Sequence, residues 1–168
     1  MKRTLLAMLV AASSSAMAEQ AVQLPQGFYA GGGINYNDLD LSSVADGASN
    51  ETATGIQLFA GLPLANNIEG FNTFAEAGYF RTSEFDFGPG LEETVTGIWG
   101  AAVMTKDLNE INPNLYALGR IGIDLGDDDG IFMGIGAGYK INEKVDVRAE
   151  FVNKDLITSY QLNALYRF

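Results

Sequence analysis

Taken in steps of two, the stretch SYQLNALYRF that closes the chain separates into Tyr160, Leu162, Ala164, Tyr166 and Phe168 against Ser159, Gln161, Asn163, Leu165 and Arg167. The first set is apolar and the second largely polar, the period-2 pattern of a strand held between an apolar and a wet environment. The same alternation recurs upstream. Ile56, Leu58, Ala60 and Leu62 alternate with Gly55, Gln57, Phe59 and Gly61; Ile131, Met133, Ile135, Ala137 and Tyr139 alternate with Phe132, Gly134, Gly136, Gly138 and Lys140. Val145, Val147, Ala149 and Phe151 alternate with Asp146, Arg148, Glu150 and Val152. Strands are predicted over 28–38, 52–64, 71–83, 93–104, 115–124, 130–141, 145–153 and 159–168. The first and fourth are too rich in glycine, or too ambiguous, for their faces to be assigned. Turn-rich pieces such as ANNIEG, FDFGPGL and DLNEINPN separate them, and the four prolines fall in these connections or at strand ends, where a missing ladder donor is tolerated.

Eight short strands at even spacing imply a barrel or a sandwich, and alternation alone leaves open whether the apolar side faces inward or outward. Three features favour outward. The polar face is sparse, dominated by Gly, Gln, Asn and a few charges, whereas a water-facing exterior is dense in Lys and Glu. Aromatics of the apolar face (Tyr79, Tyr139, Tyr160, Tyr166, Phe168) gather near segment ends, where rings sit at membrane interfaces. Acidic residues concentrate in alternate connections: Asp38, Asp40, Asp46 and Glu51 in the first, Glu84, Asp86, Glu92 and Glu93 in the third, Asp127, Asp128 and Asp129 in the fifth. Each predicted strand is also about the 9–11 residues that a tilted strand needs to cross a bilayer. The expected fold is therefore all-β, an eight-stranded antiparallel up-and-down transmembrane β-barrel over residues 28–168.

The start of the chain adds a compartment. MKRTLLAMLVAASSSAMA has two cations, a short apolar run and a small-x-small site, the layout of a cleaved secretory signal. Residues 1–18 are read as that signal and 19–27 as a short periplasmic lead-in, leaving 150 residues, enough for one domain. Those 150 hold 8 basic and 21 acidic residues, which argues against a nucleic-acid partner. Cysteine is absent, so no disulfide supports the exported domain, and histidine is absent as well. Twenty glycines with seventeen Phe and Tyr suit strands and tight turns.

The signal, the eight alternating segments and the terminal LNALYRF, with its aromatic last residue, resemble the small outer-membrane β-barrels of Gram-negative bacteria, of the OmpA transmembrane-domain and OmpX/Ail type. The resemblance implies an outer-membrane location and a side-chain-filled lumen. It also implies that Tyr160, Leu162, Tyr166 and Phe168 form the signal read by the barrel-assembly machinery. With an even strand count both termini share one side, which the resemblance makes periplasmic, so the acidic first, third and fifth connections face outward. Outer-membrane lipid and lipopolysaccharide are the implied surroundings of a monomer. Asp127, Asp128 and Asp129, at one loop tip, lack the alternation and the distant Glu of a calcium loop, so no metal site is assigned. The acidic tips read as solvated surface, as divalent-cation bridges to lipopolysaccharide phosphates, or as contacts for a basic partner.

Inside the barrel, Glu76, Arg120 and Glu150 each fall about five residues into the third, fifth and seventh strands, at similar height. Arg148 lies two residues below Glu150, and Lys140 and Arg167 lie nearer the periplasmic end. In a narrow eight-stranded interior such charges are tolerated only when paired, so the six are expected to form a network that closes the lumen. Outer-membrane barrel lipases, deacylases and proteases resemble one another in using histidine for proton transfer. A chain with neither His nor Cys has no Ser/His dyad, His metal site or Cys nucleophile. The glycine clusters AGGGI and GIGAGY read as lumen-facing positions that let strands bend and side chains pack, not as phosphate loops or a cofactor site. The expected protein is a non-enzymatic barrel serving envelope structure or surface contact; a narrow ion or small-solute channel and a soluble periplasmic ligand-binding barrel remain open alternatives.

Overall fold

The computed structural model describes residues 24–40, 50–86, 92–127, 129–154 and 157–168. The expected signal peptide, most of the lead-in segment and Asp128 lie outside them. Eight strands form: β1 Tyr29–Leu39, β2 Glu51–Leu64, β3 Asn72–Asp86, β4 Glu92–Asp107, β5 Leu115–Gly126, β6 Gly130–Lys140, β7 Val145–Asn153 and β8 Ile157–Arg167. Every strand pairs antiparallel with its sequence neighbours, and β8 pairs back onto β1 from Tyr29↔Arg167 to Leu39↔Ile157, closing the barrel. Closure leaves no sheet edge along the seam, the condition for a sheet in hydrocarbon.

Alternation sorts the side chains as the sequence predicts. Leu58 (67% exposed), Ile131 (69%), Met133 (61%) and Ile135 (68%) stand on the outer surface, and such apolar exposure around a cylinder suits a lipid surround, not water. Tyr29, Phe59, Trp99, Phe132 and Leu165 point inward into one core cluster. The unassigned faces resolve too: Tyr29, Asn35, Asn37 and Leu39 of β1 and Trp99, Val103 and Thr105 of β4 are buried.

β3 and β4 run past their expected ends at Ser83 and Met104. The register shifts between Arg81 and Glu84, a bulge that breaks strict alternation. Without it Glu84 would follow Phe80 and Thr82 into the lumen. With it Glu84 is exposed and Phe85 is fully buried against Leu39, Ala53 and Ile157. The extra residue thus moves a charge out and a ring in, and FDFGPGL is partly strand instead of wholly a connection. The extension also leaves Tyr79 in the middle of β3 instead of near its end.

Glycines on the inner face have a definite use. Tyr29 is registered opposite Gly61 and Phe59 opposite Gly31; Phe80 opposite Gly97 and Trp99 opposite Gly78; Tyr116 opposite Gly138 and Phe132 opposite Gly122. In all six pairs a Cβ on the glycine would overlap the ring, at 2.7 Å from Phe59 Cζ for Gly31 and 2.6 Å from Trp99 Cζ2 for Gly78. The rings lie flat over the neighbouring strand because only glycine leaves room. The β7–β8 pair has none: there Arg148 faces Asn163 and Glu150 faces Gln161.

Candidate functional site: the lumen charge cluster

The inner faces of β3, β5 and β7 bring Glu76, Arg120, Arg148 and Glu150 together, with side chains no more than 2% exposed. Arg148 bridges the two acids, Nη1 to Glu76 Oε1 at 2.7 Å and Nε to Glu150 Oε1 at 3.1 Å. Arg120 closes the ring from the other side, Nε to Glu150 Oε2 at 3.2 Å and Nη1 to Glu76 Oε2 at 3.8 Å. Two cations and two anions cancel, which makes burial tolerable where a lone charge would not be.

Neutral groups complete the cluster. The Tyr29 hydroxyl donates to Glu76 Oε1. Asn163 Nδ2 donates to Glu150 Oε1 at 2.9 Å, Arg120 Nη2 donates to Gln161 Oε1 at 2.8 Å, and Gln57 Nε2 donates to both Gln161 Oε1 and Asn163 Oδ1. The guanidinium of Arg120 lies over Trp99 (5.1 Å) and Phe132 (5.4 Å), and that of Arg148 over Phe59 (4.9 Å), contacts that favour a desolvated cation. The rings that glycines hold flat are therefore also the walls of the charge cluster.

Lys140 and Arg167 do not join these four. They sit at the mouth of the barrel that carries both termini, each with its own acid: Lys140 Nζ to Asp107 Oδ1 at 2.7 Å, and Arg167 to Asp146. The expected six-membered network is thus a buried ring of four and two separate pairs. One further pair, Lys154 with Asp124, lies toward the opposite end, with the Lys154 ammonium 3.7 Å from the centre of the Phe80 ring. Asp146 and Asp124 stand on the polar side of their strands, but the sequence alone assigns neither to a cation, because that pairing depends on the register. Lys154 lies beyond β7, where alternation no longer assigns a side.

Two cavities bracket the cluster. The one toward the Lys154 end is about 10 Å³, room for a single water. The one at the terminal mouth is about 300 Å³ and is bordered by Tyr116, Lys140 and Arg167. Of the expected loop tips, Asp127 is tied down, its Oδ2 accepting from Thr96 N at 2.8 Å and Thr96 Oγ1 at 2.9 Å, while Asp129 is exposed. Among the described residues no group of three or more acids is placed to hold a metal ion. Tyr160, Leu162, Tyr166 and Phe168 all face outward; the Phe168 N–H donates to Phe28 O at 3.0 Å, and its ring lies 5.0 Å from that of Tyr166.

Residues 4–168 match the family profile of the outer membrane protein beta-barrel domain. The chain belongs to this outer-membrane family. No curated protein sequence matches it. Among solved barrels, Ail of Yersinia pestis shares 14% identity over 86% of this chain and 100% of its own, with a TM-score of 0.56. Neisserial surface protein A shares 15% over 85% and 98%, with a TM-score of 0.57, and a de novo designed transmembrane β-barrel shares 14% over 87% and 98%, with a TM-score of 0.54. At such identities the likeness is one of fold. That a designed barrel matches as well as natural ones shows how far closure, register and alternation account for the similarity.

Proposed function

We propose that the protein is a non-enzymatic, monomeric barrel whose lumen is closed, serving envelope structure and surface contact. The observation that carries this reading is the buried ring of Glu76, Arg120, Arg148 and Glu150, with only about 10 Å³ of free space on one side of it. An eight-stranded interior is filled by side chains, whereas aqueous porin channels have roughly 16–18 strands. Purified protein in planar bilayers is expected to give no steady conductance, and Arg120→Ser with Arg148→Ser to raise it, since the pair of changes removes both bulk and countercharge. Stable, reproducible single-channel steps from the unmodified protein would establish the channel reading instead.

In this reading both termini face the periplasm and export uses the secretory pathway through a signal at 1–18. The opposite end then meets the outside. It presents Asp40, Glu84, Glu93, Asp127 and Asp129 as exposed acids, which favours a basic partner over a polyanion. Ail has been crystallised with the heparin analogue sucrose octasulfate; the acidic rim here argues against a sulfated ligand of that kind.

The last strand supplies the signal for the assembly machinery, with Phe168 as its terminal ring. Phe168→Asp is expected to lower the heat-modifiable, folded fraction in outer membranes well below that of Tyr139→Asp, which places the same charge at another outward aromatic of the same rim. Equal folded fractions would reduce Phe168 to an interface anchor.

A further inference from the structure

All eight Lys and Arg beyond residue 18 lie in the described part of the chain, and they divide by where they point. Arg120, Lys140, Arg148, Lys154 and Arg167 reach into the lumen or its mouth, and each is paired with a carboxylate. Arg81, Lys106 and Lys144 are exposed and, among the described residues, have no acid within ion-pair distance. In a chain with about twice as many acids as bases, these three exposed cations are open to an anion from outside the described residues.

Arg81 and Lys106 each border an apolar groove, and Lys106 is the one of the two at the terminal rim. It faces outward one residue before the end of β4 at the terminal rim, with its ammonium 5.5 Å from the centre of the Phe71 ring. Beside it an open groove of about 690 Å³ runs along the outer faces of β3, β4 and β5. Ala102, Ala117 and Gly119 make its floor; Phe71, Met104 and Ile121 are its raised apolar margins. Gly119 is no packing requirement, since a Cβ there would meet nothing nearer than 4.0 Å. Small side chains on the lipid face let a chain lie against the strands, and a cation over an interfacial aromatic marks headgroup depth.

We infer that this groove is a binding site for one anionic phospholipid, its acyl chain lying on the Ala102–Gly119 floor and its phosphate group at Lys106. A zwitterionic headgroup offers the same acyl contacts, but its own cation competes with Lys106 for the phosphate. The anionic lipid therefore gains the charge-assisted contact, while shape alone accommodates either. With the termini in the periplasm, as proposed above, the site lies in the inner leaflet, where such phospholipids are its neighbours.

The test is native mass spectrometry of the folded full-length barrel in detergent, with dioleoyl phosphatidylglycerol and dioleoyl phosphatidylcholine added in equal amounts. Because both lipids reach both rims in detergent, the result does not depend on membrane orientation or on whether the lumen conducts. Wild type is expected to retain phosphatidylglycerol roughly fivefold over phosphatidylcholine, the ratio for one interfacial cation. Lys106→Gln should bring the ratio to about one and Lys106→Arg should preserve it. Ala102→Leu, which fills the floor, should lower retention of both lipids. Heat-modifiable mobility verifies that each variant is folded. Equal retention of the two lipids by wild type, or a preference that survives in Lys106→Gln, would overturn the assignment.

Discussion

Arg148→Ala is expected to destabilise the barrel by about 3–5 kcal/mol, the cost of leaving a buried partner uncompensated. Glu76 and Glu150 would keep Arg120 as their one cation, whose contact with Glu76 is the long one at 3.8 Å, and Phe59 would lose the cation over its face. The check is the urea midpoint of unfolding in detergent or lipid vesicles, read beside Glu76→Gln and the double change Glu76→Gln with Arg148→Gln. The double change removes a cation and an anion together, so its cost should fall well below the sum of the single changes. Strict additivity would mean that these residues act separately despite their contacts.

Gly61→Val should be comparably damaging for a steric reason. A side chain at Gly61 occupies the space of the Tyr29 ring, and displacing that ring also strips Glu76 of its hydroxyl donor. Overpacking together with an unsatisfied buried carboxylate gives about 3 kcal/mol or more. Gly100→Val is the matched comparison: Gly100 faces outward and its nearest obstacle lies 3.9 Å away, at Glu76 O. It should change stability by no more than about 0.5 kcal/mol. Combining Gly61→Val with Tyr29→Ala should recover part of the loss, because the two side chains then no longer compete. Equal folding yields and midpoints for the Gly61 and Gly100 variants would show that ring and glycine do not depend on each other.

Strand number, order and lipid-facing side were legible because a barrel strand repeats one local rule, and residues such as Ile131, Met133 and Ile135 obey it without exception. The rule failed where local pattern and tertiary need diverged. At Ser83 a bulge changes the parity of β3, so the run to Asp86 did not look like strand, although burying Phe85 is what draws it in. Glu76, Arg120, Arg148 and Glu150 were visible as charges on inward positions at like depth, and that sufficed to suggest that they meet. Which cation serves which acid was not visible, since it depends on stagger between strands that are distant in sequence. Lys140 and Arg167 were grouped with the four for that reason, whereas the register gives them Asp107 and Asp146. The glycine positions were seen as space for packing, but the ring each one accepts became evident only when cross-strand partners were known.

The unequal furnishing of the four hairpins bears on how pairing errors are recognised. A strand that slips by one residue turns its apolar face inward and is rejected outright, but a slip of two keeps the faces correct and must be caught some other way. In the first three hairpins a two-residue slip sets a ring against a side chain instead of a glycine, and steric clash exposes the mistake. The β7–β8 hairpin has no such key. Between its own two strands, misalignment moves Asn163 away from Glu150 and Gln161 away from Arg120 without setting an inward ring against a side chain. Its alignment is therefore enforced by unmet hydrogen bonds, which are graded penalties instead of barriers. The last hairpin is the one where a wrongly threaded barrel would survive longest, and where polar-to-apolar change at Asn163 or Gln161 would blunt proofreading most.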